Sequence, residues 1–432
     1  MFKIWNRLFL EERPSIGLAF FRIFVALTTG FHVIPSFFHM DDNYFSTAFK
    51  ELNGNFFTVD FLKLVQKSPD ALAVFFAVLF CVSFAAFLIG LCSQVSCIVM
   101  TACCYYFYAL NSYQIGTLSW DILLVTLFLM CLTPYHGDYF SVDSLFTKHL
   151  DPFKRRRPFF LQRLLQMQIA STFFYTALYK TTAQGNWLDG NPVFYLMNAP
   201  ASGVVKHFLL KEWMAVHPGF CYATGILIVC IEFLMPFFLF FPATRISAIY
   251  AGIFFHILLI LTLDVPAIFF FLFPAQLMLF INPEHILRWI EGRRAYHAAS
   301  PRSKLIYDGN CGFCRKSVRE LKVMDLFNRI EYVDFQAHTD LPQVHPQLNK
   351  DAAASQIHLV ENIQSQDGGQ KLYGGFFVFR RLCLIIPMLY PAILIFYLPG
   401  SGFFGPMLYQ WIAKNRYFLH RNKTCTANAC YR

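Results

Sequence analysis

The chain has 432 residues, of which 56% are hydrophobic, 18% aromatic and only 14% charged, and 52 of them are phenylalanine. A composition this apolar excludes an ordinary soluble protein and points to several membrane-spanning helices. The net charge of +10 is read as the basic excess of cytoplasmic loops, so the expected partner is the lipid membrane and no nucleic acid.

The N-terminal MFKIWNRLFLEERPS sets Glu11 and Glu12 before the first apolar run. No small-residue cleavage site follows, so a removable signal peptide is not expected. Apolar segments long enough to span then occur near 15–38, 71–91, 94–110, 119–135, 159–180, 218–241, 244–263 and 265–282, which predicts a polytopic α-helical bundle of about eight spans. The last follows Asp264 and Pro266 with almost no loop, a spacing that also suits a re-entrant segment. With the N-terminus inside, the inner connections collect Lys3, Arg7, Arg13, the KRRR run Lys154–Arg157, Arg245, Arg293 and Arg294. The outer ones hold only Lys50, Lys63, Lys67, Lys180, Lys206 and Lys211, so both termini are expected in the cytoplasm and a bacterial inner membrane is the expected location. Most of the 13 cysteines lie inside the apolar runs, among them Cys97, Cys103, Cys104, Cys131 and Cys221, and are read as small core- or lipid-facing side chains.

Ionisable groups at membrane depth are costly and mark candidate sites. Arg22, His32, Asp121, Lys180, Glu232 and His256 qualify. Arg22 and Asp121 are placed to pair and brace two helices, His32 and His256 to bond a neighbouring helix, and Lys180 to snorkel from the outer end of its helix.

After Asn282 the texture changes. PEHILRWIEGRRAYHAASPRSK is a polar, basic connector (286–303), and a second domain runs from 304 to 432. LIYD, IEYVDF, SQIHLVE and LYGG read as strands, and RKSVRELKVMDLF as a helix with Val318, Leu321 and Met324 on one face. A strand, a Cys-x-x-Cys turn, a helix and further strands predict an α/β thioredoxin-like domain. Cys311 and Cys314 stand where a strand ends and a helix starts, beside Arg315 and Lys316. The amide groups and dipole there favour a thiolate, the second cysteine can resolve a mixed disulfide, and Asp308 can relay a proton or tune the pair. The alternatives are a zinc site recruiting Cys425 and Cys430, or inert thiols; the flanking pattern favours redox chemistry, with no metal and no covalent cofactor. The apolar 383–400, broken by Pro387, Pro391 and Pro399, is expected to form hairpin-like helices docked on the membrane domain or lying in the interface, not a further span.

YDGNCGFC, together with WIAKNRYFL at 411–419, resembles the DCC family of thiol–disulfide oxidoreductases over about 304–420. The family takes its name from an Asp, Cys, Cys signature, here Asp308, Cys311 and Cys314. No proline precedes the third strand (AASQIHLV), where thioredoxin itself carries one. FRIFVAL, Lys180 ahead of Trp187–Gly190 (WLDG), and His256 resemble the horizontally transferred transmembrane (HTTM) family over about 10–285. That family is similar to vitamin K-dependent gamma-carboxylases. The resemblance implies that Lys180 is the base acting on a reduced quinone, and that His256 and Trp187 line the same cavity. It implies a quinone or quinol as ligand. Here one lysine stands where the carboxylase tends to have two, and the carboxylase's large lumenal region is absent.

The expected function is an integral membrane thiol–disulfide oxidoreductase working on a protein or small-thiol partner, with a membrane domain that binds a quinone. A quinol-dependent carboxylase-like enzyme and a non-catalytic membrane scaffold are the alternatives. The charge count sets the dithiol inside and Lys180 at the outer end of its helix, about a bilayer apart.

Overall fold

A computed structural model describes residues 5–48, 65–111, 118–146, 155–182, 186–198, 210–264, 268–337, 341–362 and 370–419. The chain divides into two compact units, Met1–Ile286 and Leu287–Arg432.

The first unit opens with β1 (Glu12–Pro14), α1 (Ile16–Val33), α2 (Asp70–Ile89), α3 (Ser93–Leu110) and α4 (Leu118–Met130). It continues through β2 (Arg156–Pro158), α5 (Phe160–Thr181), α6 (Asn191–Asn198), α7 (Pro218–Phe240), α8 (Arg245–Thr262) and α9 (Ile268–Met278). Local chemistry sets the ends of α2. Pro69 precedes it, Asp70 sits in its first turn, and Gly90 stops it at φ +69° with its N–H on Phe87 and Ala86 carbonyls. A side chain at Gly90 would also collide with the Arg22 guanidinium.

Each of the eight predicted apolar segments contains a helix among the described residues. Among the described residues, five helices are long and apolar enough to cross a membrane, or six if the bent pair Phe270–Met278 and Pro283–Ala299 is one span. The described parts of α4 and α9 run for 13 and 11 residues. Helix α5 has the length, 22 residues, but a polar stripe. Gln162 and Gln166 are buried and donate to the Leu279 carbonyl (2.6 and 2.8 Å) just beyond α9, which satisfies an otherwise orphaned helix-end acceptor. Gln168 donates to the Ile122 carbonyl (2.9 Å) and the Thr126 hydroxyl (2.8 Å), and Gln276 reaches the same hydroxyl (3.3 Å). Amides thus knit α4, α5 and α9 together where hydrophobicity alone would not hold helices in lipid.

Strands β1 and β2 pair antiparallel, Arg13 opposite Arg157. Arg157 forks onto Asp138 through Nε and Nη2 (2.8 and 2.9 Å), and Arg156 pairs with Glu284 at 2.6 Å. Part of the KRRR run is therefore neutralised within the fold.

In the second unit, the stretch read as a connector is largely a helix, α10 (Pro283–Ala299), which begins just before the unit boundary. Then come β3 (Ser303–Tyr307), α11 (Gly312–Met324), β4 (Ile330–Asp334), α12 (Lys350–Ser355), β5 (His358–Asn362), β6 (Gln370–Gly374), α13 (Phe376–Ile385) and α14 (Ser401–Leu419). The sheet order is β4-β3-β5-β6, with β3 parallel to β4, antiparallel to β5, and β5 antiparallel to β6. Successive residues serve opposite faces, as strand geometry requires. Leu305 and Leu359 pack with Val318, Leu321, Val378 and Leu382, whereas Ile306 and Val360 pack with Val333, Leu341 and Leu348. The stretch 383–400 holds no continuous long helix; it contains the end of α13 and two short helical turns, Pro387–Ala392 and Ile393–Phe396.

Candidate functional site

The dithiol lies at the β3–α11 junction. Cys311 is extended (φ −83°, ψ 114°) and caps α11, its sulfur accepting the Cys314 N–H at 3.2 Å. A sulfur stands where a Ser or Asp oxygen usually caps a helix, at the positive end of the dipole. Carboxylates on both parallel strands hold the turn. Asp308 Oδ1 accepts from Asn310 N and Gln336 Nε2, both at 3.0 Å, and Asp334 Oδ1 accepts from Gly309 N at 2.9 Å. Asp334 stands in register with Tyr307 across β3–β4, and a side chain at Gly309 would overlap its carboxylate. Asp334 was not among the residues the sequence singled out; its place at the end of the partner strand is the signal.

The two sulfurs differ in exposure: Cys311 is fully buried and Cys314 half-buried. Cys314 faces a cleft of about 50 Å³ whose wall includes Tyr307, Asp308, Phe313, Ile357, Tyr409 and Ile412. Burial, then the Asp334 charge, raises the Tyr307 phenol pKa, and Arg315 opposes this. Helix α14 roofs the cleft: the Tyr409 hydroxyl accepts the Ile357 N–H at 3.1 Å. No group of three or more His, Cys, Asp and Glu side chains suited to a metal occurs among the described residues; Cys425 and Cys430 lie outside them.

The membrane unit holds a larger cavity of about 360 Å³, and Lys180, Trp187 and His256 all line it. Lys180 ends α5, and its Nζ lies 4.8 Å from the Trp187 ring centre. Trp187 is presented by a short turn in which Asp189 accepts the Asn191 N–H at 3.0 Å. On α8, His256 is buried and its Nδ1 donates to the Gly252 carbonyl at 2.8 Å, while Phe273 lies 5.0 Å away, ring to ring. The residue that completes the group is Glu232 of α7. Its Oε1 accepts from Lys180 Nζ at 2.5 Å, and its Oε2 is buried with no hydrogen-bond partner among the described residues. Lys180 therefore turns inward to a counter-ion and does not snorkel. Glu232 is the lone charge in the 23 residues of α7, which flags it in the sequence, although its partner is set by packing.

The expected Arg22–Asp121 pair does not form. Arg22 donates to the His136 and Phe140 carbonyls (3.1 and 2.5 Å), and Asp121 accepts from the Tyr108 hydroxyl at 3.0 Å. Each charge is served by neutral hydrogen-bond partners instead. His32 packs against Trp120 with the rings tilted, 4.9 Å between ring centres.

A helical bundle with a charged cavity, followed by a sheet unit with a capped dithiol, defines a membrane protein carrying a thiol-chemistry domain. Residues 11–285 match the HTTM domain model, and residues 305–422 match the DCC1-like thiol-disulfide oxidoreductase model. The chain belongs to the HTTM family and carries a DCC1-like thiol-disulfide oxidoreductase domain, in the order the sequence motifs imply. No curated protein and no solved structure matches it.

Proposed function

We propose that the protein is a membrane thiol–disulfide oxidoreductase that reacts through Cys311 and Cys314 and holds a quinone or quinol in its membrane cavity. The observation that carries the first half is the half-exposed Cys314 sulfur beside a buried Cys311 at a helix N-terminus. The order of strands, with a parallel pair followed by an antiparallel hairpin and a helix, supports a thioredoxin-like domain.

Exposure reverses the order of attack that the sequence suggests. The Cys314 thiolate attacks a substrate disulfide, forms a mixed disulfide and releases one substrate thiolate. The Cys311 thiolate then attacks the Cys314 sulfur, releases the second thiolate and leaves a Cys311–Cys314 disulfide. Two electrons pass to the substrate, and its two thiolates take up protons from water. The narrow cleft and the Tyr409 roof favour a small disulfide over a folded protein partner. In a disulfide-reductase assay of the full-length protein, Cys311→Ser and Cys314→Ser each reduce turnover to the uncatalysed rate. Unchanged turnover in either variant refutes this assignment.

The cavity supports the second half. Lys180, Glu232 and His256 would hold the oxygens of a quinone, and Trp187, Phe173 and Phe273 would flank its ring. When bound, a quinol supplies two electrons and two hydroxyl protons. The unpartnered Glu232 Oε2 suits a hydroxyl donor, since a buried acceptor left unpaired is costly. A lysine ammonium donating to a carboxylate has no lone pair to offer. Proton acceptance at this site therefore falls to Glu232, with Lys180 holding the negative charge that remains when no proton is bound. By the distribution of Lys and Arg, the termini and the dithiol lie in the cytoplasm.

A further inference from the structure

The membrane unit contains a second pair of cysteines in contact, unrelated to the Cys-x-x-Cys motif. Cys97 lies in the second turn of α3, and Cys131 directly follows α4. Their sulfurs are 3.8 Å apart, although 34 residues separate them in the chain.

The surroundings hold the pair in one geometry. Thr101 donates its hydroxyl hydrogen to the Cys97 carbonyl at 2.7 Å, and the Cys131 thiol donates to the Thr101 oxygen at 3.3 Å. With the Cys131 hydrogen committed there, the Cys97 thiol is the donor across the sulfur–sulfur contact. Gln94, one turn before Cys97, donates its amide to the Cys131 carbonyl. That bond ties the end of α4 to the start of α3 and fixes the backbone on both sides of the thiol pair. The sulfur gap exceeds a disulfide bond of about 2.05 Å by roughly 1.8 Å, a distance that small side-chain rotations can close.

Exposure again separates the roles. Cys97 is fully buried, and Cys131 is half-buried at the end of its helix. Both lie at the end of the bundle where α2 gives way to α3 and α4 to the Pro134–Gly137 turn. The distribution of Lys and Arg assigns that end to the cytoplasmic side.

We propose that Cys97 and Cys131 form a second redox couple, oxidised from dithiol to disulfide by exchange with a disulfide arriving from the aqueous side and returned to the dithiol by the reverse exchange with a thiol. The incoming disulfide is attacked by the Cys131 thiolate, giving a mixed disulfide and one released thiolate. Cys97 attacks the Cys131 sulfur, releases the second thiolate and closes the Cys97–Cys131 bond. The couple loses two electrons and two protons, and the disulfide gains the two electrons and becomes two thiols. This requires no oxidant other than the disulfide. It does not depend on the quinone assignment.

The test is oxidation of the full-length protein by oxidised glutathione, followed by alkylation and peptide mapping without reductant. A second sample carries Cys311→Ser with Cys314→Ser. The expected result is a peptide containing Cys97 joined to one containing Cys131, lost on adding dithiothreitol. If the link forms in both samples, the external disulfide acts directly on the pair. If it forms only with Cys311 and Cys314 intact, the disulfide that oxidised glutathione makes between those two residues is what accepts the electrons of Cys97 and Cys131. Either supports the couple. In Cys97→Ala, the glutathione adduct should persist on Cys131, whereas Cys131→Ala should leave Cys97 unmodified. Full alkylation of Cys97 and Cys131 at every glutathione ratio, in a protein whose Cys311–Cys314 pair oxidises, overturns the proposal.

Discussion

The two candidate sites are built in opposite ways. The dithiol cleft grows from one contiguous turn, DGNCGFC, and is braced by neighbouring strands; its reacting atoms are three residues apart. The membrane cavity draws one residue each from α5, the turn after it, α7 and α8, and its polarity depends on a single ion pair between helices. A contiguous site withstands small shifts of packing, whereas an assembled one is lost when any helix moves.

The largest effect is expected from breaking the pair in the bundle. Lys180→Met leaves Glu232 buried without its cation and should lower stability by about 3–5 kcal/mol. The double variant Lys180→Met with Glu232→Leu should recover most of that loss, as removal of a whole buried pair usually does. Thermal unfolding in detergent measures both; equal losses in the single and double variants would show that the pair contributes packing alone. The dithiol turn should be less costly to disturb. Gly309→Ala pushes a methyl group against the Asp334 carboxylate and should cost about 1–3 kcal/mol, read as a fall in the melting temperature together with loss of reductase turnover. Tyr409→Phe removes the acceptor for the Ile357 N–H and should cost about 1 kcal/mol while leaving small-disulfide turnover within a few-fold. The smallest effect is on pH dependence. Burial lowers the pKa of His358 on β5 below its ordinary 6.5. The unfolded chain then binds more protons than the native one in that range, so this contribution is full above pH 6.5 and lost as pH falls through the native value. Melting of the wild type should decline on acidification from neutral pH, and His358→Leu should flatten that decline.

The same contrast explains what could be read from the chain. Asp308, Cys311 and Cys314 were legible because strand, turn and helix follow one another in sequence, and Val318, Leu321 and Met324 mark the buried face of α11 by spacing alone. Tyr409 was not, because it meets Ile357 across 52 residues through a helix whose pattern says only that it is apolar. In the bundle, Lys180 and His256 were legible as ionisable groups within apolar runs, and Trp187 only through family resemblance. Glu232 stood out as a lone charge, but nothing local reveals which helix faces it. The Arg22–Asp121 pairing failed for a related reason. Opposite charges in a membrane sequence suggest a pair, yet backbone carbonyls freed at a turn satisfy an arginine equally well. Hydropathy along α5 also averages over a glutamine stripe that forms the seam with α4 and α9.

The central claim joins a dithiol domain to a ligand-holding membrane cavity, and the most direct test is whether the purified full-length protein retains a quinone. Organic extraction of the protein in mild detergent, followed by chromatography and mass spectrometry, should yield a lipid quinone at close to one per chain. That quinone should be lost or greatly reduced in Glu232→Gln and His256→Ala. A folded wild-type protein that carries no quinone, and takes none up when one is supplied, would contradict the account.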